Sequence, residues 1–291
     1  MDIPSHELQA FRMVAQVLNF SEAAERVHIT QSALSQRIQS LERTLGLTLF
    51  VRDRKAIRLT EAGVRLLRYC QLKDHLEAEL LNDLVEAPDS KLGGYLRVAA
   101  FSSVLHSVIM PALAPLLREN PAIQFEFSMH ELDELPDVLL RGEADFVVMD
   151  HVHQKPNLEV HILGHEQYVL IQSSRYPAKN IYLDHDPNDK FTKLFFKTQG
   201  KDNKELMRSY VDDITGVLNG VALGLGQGVV PSHLLHKGLP VRAIKGAKPM
   251  NIPVVLHYFK QPYYSKLQKI TIETLKSNCA GYLTTMSNNQ T

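Results

Sequence analysis

The chain has 291 residues, 44% hydrophobic and 22% charged, and its Lys+Arg total of 32 is balanced by an Asp+Glu total of 32. That length exceeds what one core usually organises, so two or three domains are expected, with the composition of an ordinary globular protein. No apolar run approaches the ~18 residues of a membrane span, no basic and apolar leader opens the chain, and Cys70 and Cys279 lack metal-type spacing; the expected compartment is the cytoplasm, with reduced thiols and no cofactor.

Leu8, Phe11, Val14, Ala15 and Leu18 recur at helical spacing, with Ser5 placed as cap. Ser21 before Glu22-Ala23-Ala24-Glu25 predicts a second, short helix. Thr30 opens a third, running from Gln31 to Leu45 with Gly46 as its stop. Its apolar stripe is Leu34, Ile38, Leu41 and Leu45, and the opposite face carries Gln31, Ser32, Ser35, Gln36 and Gln39. Short hydroxyl and amide side chains on one helix face suit hydrogen bonding to base edges in a major groove. Two helices with a tight turn and such a face make a helix-turn-helix. The run Leu47–Val51, then Arg52-Asp53-Arg54-Lys55, then Ile57-Arg58-Leu59 reads as a hairpin with a basic tip, a wing for a phosphate track. Although the net charge is zero, Arg26, Arg37, Arg43, Arg52, Arg54, Lys55, Arg58 and Arg65 form a local basic island.

From Thr60 to Pro88 an apolar stripe (Val64, Leu67, Leu72, Leu76, Leu80, Leu81, Leu84) predicts one long helix, which buries such a stripe against a partner helix. After a hinge at Gly93-Gly94, strands at 95–100, 123–127 and 144–149 alternate with helices, one preceded by Ser102-Ser103 and running to about Glu119 and one at 132–140, an α/β pattern. Ligands in such sheets bind beyond the carboxyl ends of the strands, which selects Ser102, Ser103, Glu131 and Asp150. Further on, 168–171 and Leu194-Phe195-Phe196 read as strands, with Lys197-Thr198 ending the second. The glycine-rich run 224–231 follows a helix rather than opening one, so it is no dinucleotide fingerprint. Val254–Tyr258 is a returning strand, and 263–276 the final helix.

The series Phe20-Ser21-Glu22-Ala23-Ala24, Thr30-Gln31-Ser32-Ala33-Leu34-Ser35, Leu41-Glu42, Gly46, Leu49-Phe50, Arg52 and Leu59-Thr60-Glu61-Ala62-Gly63 resembles the DNA-binding domain of LysR-type transcriptional regulators. The order Gln36-Arg37 resembles the branch that controls arginine and lysine export, and leaves open which of the two reaches a base. The resemblance implies an all-α winged helix-turn-helix N-terminal domain (1–60), a linker helix for dimerisation (61–91) and an α/β C-terminal sensor (92–291). The sensor is like periplasmic solute-binding proteins, with subdomain I at about 92–163 and 257–291 and subdomain II at about 164–256. Its implied DNA contacts are Ser21, Thr30, Gln31, Ser32, Ser35, Gln36 and Arg37, with Arg52, Arg54 and Lys55 on the wing. The implied effector contacts are Ser102, Ser103, Asp150, Thr198 and Thr215, beside Glu131 from the strand-end rule. Expected partners are promoter DNA, a small-molecule effector, a second or fourth copy of the chain, and RNA polymerase, but no membrane.

An enzyme is the main rival. No nucleophile elbow, His-Glu-x-x-His helix or phosphate loop appears, so no catalytic residue is assigned. Asp150-His151-Val152-His153 offers metal-type ligands, but at a strand exit it reads as solvated, and no metal is assigned. A free solute-binding protein fits the C-terminal half and leaves the first ~90 residues without a purpose.

Overall fold

The computed structural model describes residues 3–52, 57–85, 92–177, 179–200 and 206–283. Helices α1 (Ser5–Val17), α2 (Phe20–Arg26) and α3 (Gln31–Leu45) form the head. Leu8, Phe11, Val14 and Ala15 are buried on one face of α1 and meet Ala23 and Ala24 of α2 and Leu34, Ile38 and Leu41 of α3. Strands β1 (Phe50–Arg52) and β2 (Ile57–Leu59) pair antiparallel, and the Phe50 ring sits 5.4 Å from Phe11 and 5.9 Å from Phe20. The expected wing tip, Asp53, Arg54 and Lys55, lies outside the described residues.

Two caps differ from expectation. Ser5 is the first residue of α1 and makes no cap bond; Pro4 holds the cap position. Asn19, not Ser21, caps α2, its side-chain oxygen accepting from the N–H groups of Ser21 at 3.0 Å and Glu22 at 3.3 Å. The buried Phe20 ring needs to enter the core from within the helix, which moves the start back. Thr30 does cap α3, accepting from the Ala33 N–H at 3.2 Å, and Gly46 ends it in the left-handed region.

Helix α4 (Glu61–Val85) runs 25 residues, about 37 Å at 1.5 Å per residue. Thr60 fixes its start: the hydroxyl accepts from the Gly63 N–H at 3.0 Å and donates to the Thr48 carbonyl at 2.7 Å. The stop expected at Pro88 lies outside the described residues.

The sensor contains strands β3 (Gly94–Ala100), β4 (Ile123–Met129), β5 (Phe146–Met149), β6 (Leu158–Ser173), β7 (Tyr182–Asp184), β8 (Arg208–Tyr210), β9 (Gln227–Pro231), β10 (Val241–Ala243) and β11 (Met250–Phe259). Its helices are α5 (Ser102–Val104), α6 (Met110–Glu119), α7 (Leu135–Leu140), α8 (Phe191–Thr198), α9 (Ile214–Ala222) and α10 (Lys266–Leu283). Among the described residues the strands run in the order β4-β3-β5-β11-β6-β9-β7-β8, with β10 also on β6. The sheet is mixed: β3 is parallel to β4 and β5, and β7 to β8 and β9, while β6 and β11 are antiparallel to each other.

β6 and β11 carry the sheet from one lobe to the other. Their register slips between Val254 and Val255, opposite Gly164. Gly164 has φ +156°, and a Cβ there would come within 2.6 Å of the Leu283 side chain of α10. Lobe I packs Val98, Phe146, Val148 and Leu256 against α6 and α10. Lobe II has a core on each face of its sheet, one around Phe195 and Tyr168 and the other around Val217 and Val230.

The expected strand at Leu194-Phe195-Phe196 is wrong: those residues belong to α8. Thr192, Phe195 and Phe196 are buried at i, i+3 and i+4 while Leu194 is exposed, the signature of one helix face. Thr198 accordingly ends a helix rather than a strand. α7 starts at Leu135 rather than Leu132, with Pro136 in its first turn. Ser102 and Ser103 lie within α5, and the helix expected after them up to Glu119 is split by a π turn at Leu105–Ile109 just before Pro111, whose missing N–H breaks the regular ladder. Pro115 leaves the Pro111 carbonyl without its helical donor, and the Tyr282 hydroxyl of α10 supplies one at 3.3 Å.

Candidate nucleic-acid interface and ligand cleft

The α3 face opposite its buried stripe is open. Gln31, Ser32, Gln36 and Gln39 are exposed, and Ser35 and Arg37 are half-buried. Local bonds organise it: Gln31 Nε2 donates to Ser35 Oγ at 3.3 Å, and the Thr30 and Ser32 hydroxyls lie 3.0 Å apart. Ser21 is exposed at the start of α2. Arg52 ends β1, the one expected wing residue among those described, and Arg58 is exposed on β2. Glu42 ties the wing to α3, its carboxylate accepting from the Leu49 N–H at 2.7 Å and the Phe50 N–H at 3.4 Å. Glu42 belongs to the sequence motif, but nothing in the pattern announces this role.

Helix α4 joins the head to the sensor of its own chain. Arg12 of α1 pairs with Asp74 of α4, and the Arg68 guanidinium lies 4.0 Å from the Phe259 ring centre. The Gln71 amide occupies the space that a Cβ at residue 142 would need, and Gly142 sits at φ +68°. Arg97 anchors the same corner through the Asp145 carboxylate at 2.7 Å and the Gly142 carbonyl at 2.8 Å.

Between the lobes is a cavity of about 70 Å³. Lobe I contributes Phe101, Ser102 and Ser103 after β3, and His130, Glu131 and Leu132 after β4. Lobe II contributes Tyr168 of β6, Val229 of β9, and His185, Asp189, Phe191 and Ile214 from its loops and helix starts. Of the six expected contacts, Ser102, Ser103 and Glu131 meet here. Asp150, Thr198 and Thr215 do not line the cavity. Asp150 instead pairs with His151 Nδ1 at 2.6 Å, Thr198 donates to the Phe195 carbonyl at 2.7 Å, and Thr215 is exposed in the first turn of α9.

The cleft is acidic at its mouth. Burial raises the Glu131 pKa, His185 opposes that shift, and Asp186, Glu134 and Asp133 add to it. Burial also lifts Tyr168 well above the ordinary phenol range, helped by the Glu166 charge. Glu166 and His233 make an enclosed pair beneath the cleft floor, at 2.8 Å with side-chain exposures of 0% and 1%. Tyr168 donates to the other Glu166 oxygen at 3.3 Å.

A second network sets the lobe II loop. Asp184, whose pKa burial raises against the bonds from Thr192 and Arg208, is held by both of those groups. Arg208 also donates to the Asp189 carbonyl at 2.6 Å, fixing the loop that carries His185. None of this lobe II apparatus is visible in the sequence pattern.

A winged helix-turn-helix on a two-lobed α/β ligand-binding fold defines a ligand-responsive, DNA-binding regulator. Residues 5–64 match the bacterial regulatory helix-turn-helix protein model of the lysR family, and residues 89–280 match the LysR substrate binding domain. The chain belongs to the LysR family of transcriptional regulators. It is 26% identical over 253 residues to the HTH-type transcriptional regulator IlvY of Escherichia coli K12, covering 81% of this chain and 84% of that protein. Among solved structures, ArgP from Mycobacterium tuberculosis superposes with a TM-score of 0.75 at 23% identity, over 96% of this chain and 98% of that one. LysG from Corynebacterium glutamicum with bound effector Arg gives 0.69 at 19% identity, over 95% and 97%. These relatives are regulators rather than enzymes. No helix among the described residues is long and apolar enough to cross a membrane.

Proposed function

We propose that this regulator reads its operators with Gln31, Ser32, Ser35 and Gln36 of α3 in the major groove, flanked by Ser21, Thr30, Arg37 and the wing residues Arg52, Arg54 and Lys55. The observation that carries the reading is that these groups on α3 are outward-facing while Leu34, Ile38 and Leu41 on the same helix are buried. Two chains present two such helices, paired through α4: Tyr69, Leu76 and Leu80 are 49%, 42% and 56% exposed in the single chain, an apolar surface suited to a partner helix. Dimers, or tetramers built from them, work in the cytoplasm with RNA polymerase as a further partner, and the chain is a binder without catalysis.

Residues 1–60 are the DNA-binding unit, 61–91 the dimerising linker and 92–291 the effector-binding unit. The effector is a small polar cation held between subdomain I (about 92–163 and 257–291) and subdomain II (about 164–256). Glu131 and Asp189, which line the same small cavity, support that charge, and the arginine named for the corynebacterial LysG is of this class. Ligand closure of the lobes alters how dimers associate and so the spacing or bend of the bound DNA. The test is to select bound genomic fragments and footprint them with and without candidate metabolites. Protected half-sites spaced by whole helical turns, about 34–36 Å each, and shifted by a ligand are expected. No fragment enriched over competitor DNA would end the reading.

A further inference from the structure

We propose that Glu131, His185 and Asp186 form a site for a divalent transition-metal ion that ties the two lobes of the sensor together. The proposal deepens the reading of the cleft as the effector site and rests on it. One ligand atom from each of the three residues lies within 4.8 Å of the others, and Glu131 Oε1 is 3.8 Å from His185 Nε2. Glu131 follows β4 in lobe I, while His185 and Asp186 follow β7 in lobe II, so an ion held by all three bridges the cleft.

The donor set selects the ion. One imidazole and two carboxylates suit zinc, nickel, cobalt, manganese or ferrous iron, whereas calcium and magnesium take oxygen ligands alone. At metal–ligand distances of about 2.0–2.2 Å, ligand atoms sit no more than about 4.4 Å apart. The 3.8 Å between Glu131 Oε1 and His185 Nε2 already falls inside that limit.

Two of the ligands are already held. Asp186 Oδ1 accepts from the Asp189 N–H at 3.1 Å, and the Asp189 carboxylate accepts from the His185 N–H at 3.2 Å. Arg208 clamps that turn to Asp184, as described above. The cavity beside the cluster is about 70 Å³. Ser103 lines it at 4% exposure, its hydroxyl beside the Tyr168 phenol.

The experiment is calorimetry on the full chain after chelator treatment, titrated with Zn²⁺, Ni²⁺ and Mn²⁺, with Mg²⁺ and methylguanidinium as comparators. One transition-metal ion per chain is expected. Affinity falls at least about 30-fold in His185→Gln and in Asp186→Asn, because losing even a supporting residue of a metal site costs 10–100-fold. His151→Gln leaves the affinity unchanged, and the metal-free melting temperatures of all variants match the parent. No binding by any of the transition ions, or binding that survives His185→Gln and Asp186→Asn together, overturns the proposal. Binding of methylguanidinium alone, abolished by Glu131→Gln, also overturns it while leaving the effector-cleft reading intact. A footprint indifferent to every metabolite would instead remove that reading.

Discussion

The head and the sensor place their functional atoms in opposite ways. In the head, Gln31, Ser32, Ser35 and Gln36 come from one helical turn and a half, and a buried stripe on the far side of the same helix aims them. In the sensor, Ser103 comes from the short helix α5 and Glu131 and His185 from two loops, and two strands that cross between lobes bring them together. A site on one helix is as rigid as the helix. A site between lobes is as mobile as the crossing, which suits it to a ligand-dependent signal. The link between them is α4, which meets the sensor through Arg68 on Phe259 and Gln71 on Gly142.

Substitutions in each region sharpen this contrast. The largest effect is expected from His233→Ala, which strips the fully enclosed Glu166 carboxylate of its 2.8 Å partner and leaves it the longer bond from the Tyr168 hydroxyl. Removing one member of a buried pair costs about 3–5 kcal/mol. Denaturant unfolding is expected to show that loss in the sensor transition, while the head still binds DNA nonspecifically. In the head, Leu34→Ala empties a 0%-exposed position and costs about 3 kcal/mol. It should abolish operator binding while calorimetry of the cleft ligand is unchanged; equal damage to both would mean the regions fold as one unit.

The strand crossing has its own pH signature. Burial lowers the His257 pKa to about 4, from an ordinary 6.5, and the Val255 carbonyl only partly offsets it. Between those values the unfolded chain takes a proton that the folded chain refuses. Stability is therefore intact above pH 6.5 and falls as the pH drops towards 4, by up to about 3 kcal/mol. His257→Gln should flatten melting temperature against pH across that window; an unchanged slope would assign the acid sensitivity elsewhere. The smallest effect is at the α2 cap, where Asn19→Ala should cost about 1 kcal/mol by head unfolding and weaken DNA binding only slightly.

The same contrast explains how much is legible in the sequence. α3 is legible because its cap, its stripe and its polar face all repeat within one short segment. Asn19 reads as a break in the pattern, since Ser21 also fits a cap and only burial of Phe20 decides between them. Leu194–Phe196 reads as a strand because a short apolar run has no period long enough to separate strand from helix. Glu131 is reached from the rule about strand ends, whereas His185, Asp186 and Asp189 escape it because β7 spans only Tyr182–Asp184 and carries little pattern. Glu166 and His233 stand 67 positions apart and meet only once β6 and the segment after β9 are in register.

The most direct measurement is the ratio of operator affinity to random-DNA affinity, taken across a range of salt concentrations for the parent chain and for Gln31→Ala/Gln36→Ala. A side chain paired with a base edge supplies about 1–3 kcal/mol of discrimination, so removing two is expected to lower the ratio about 30-fold or more. The salt slope, which counts phosphate contacts, and the melting temperature are expected to stay where they were. A double variant that keeps the parent ratio would contradict the assignment of α3 as the reader of sequence.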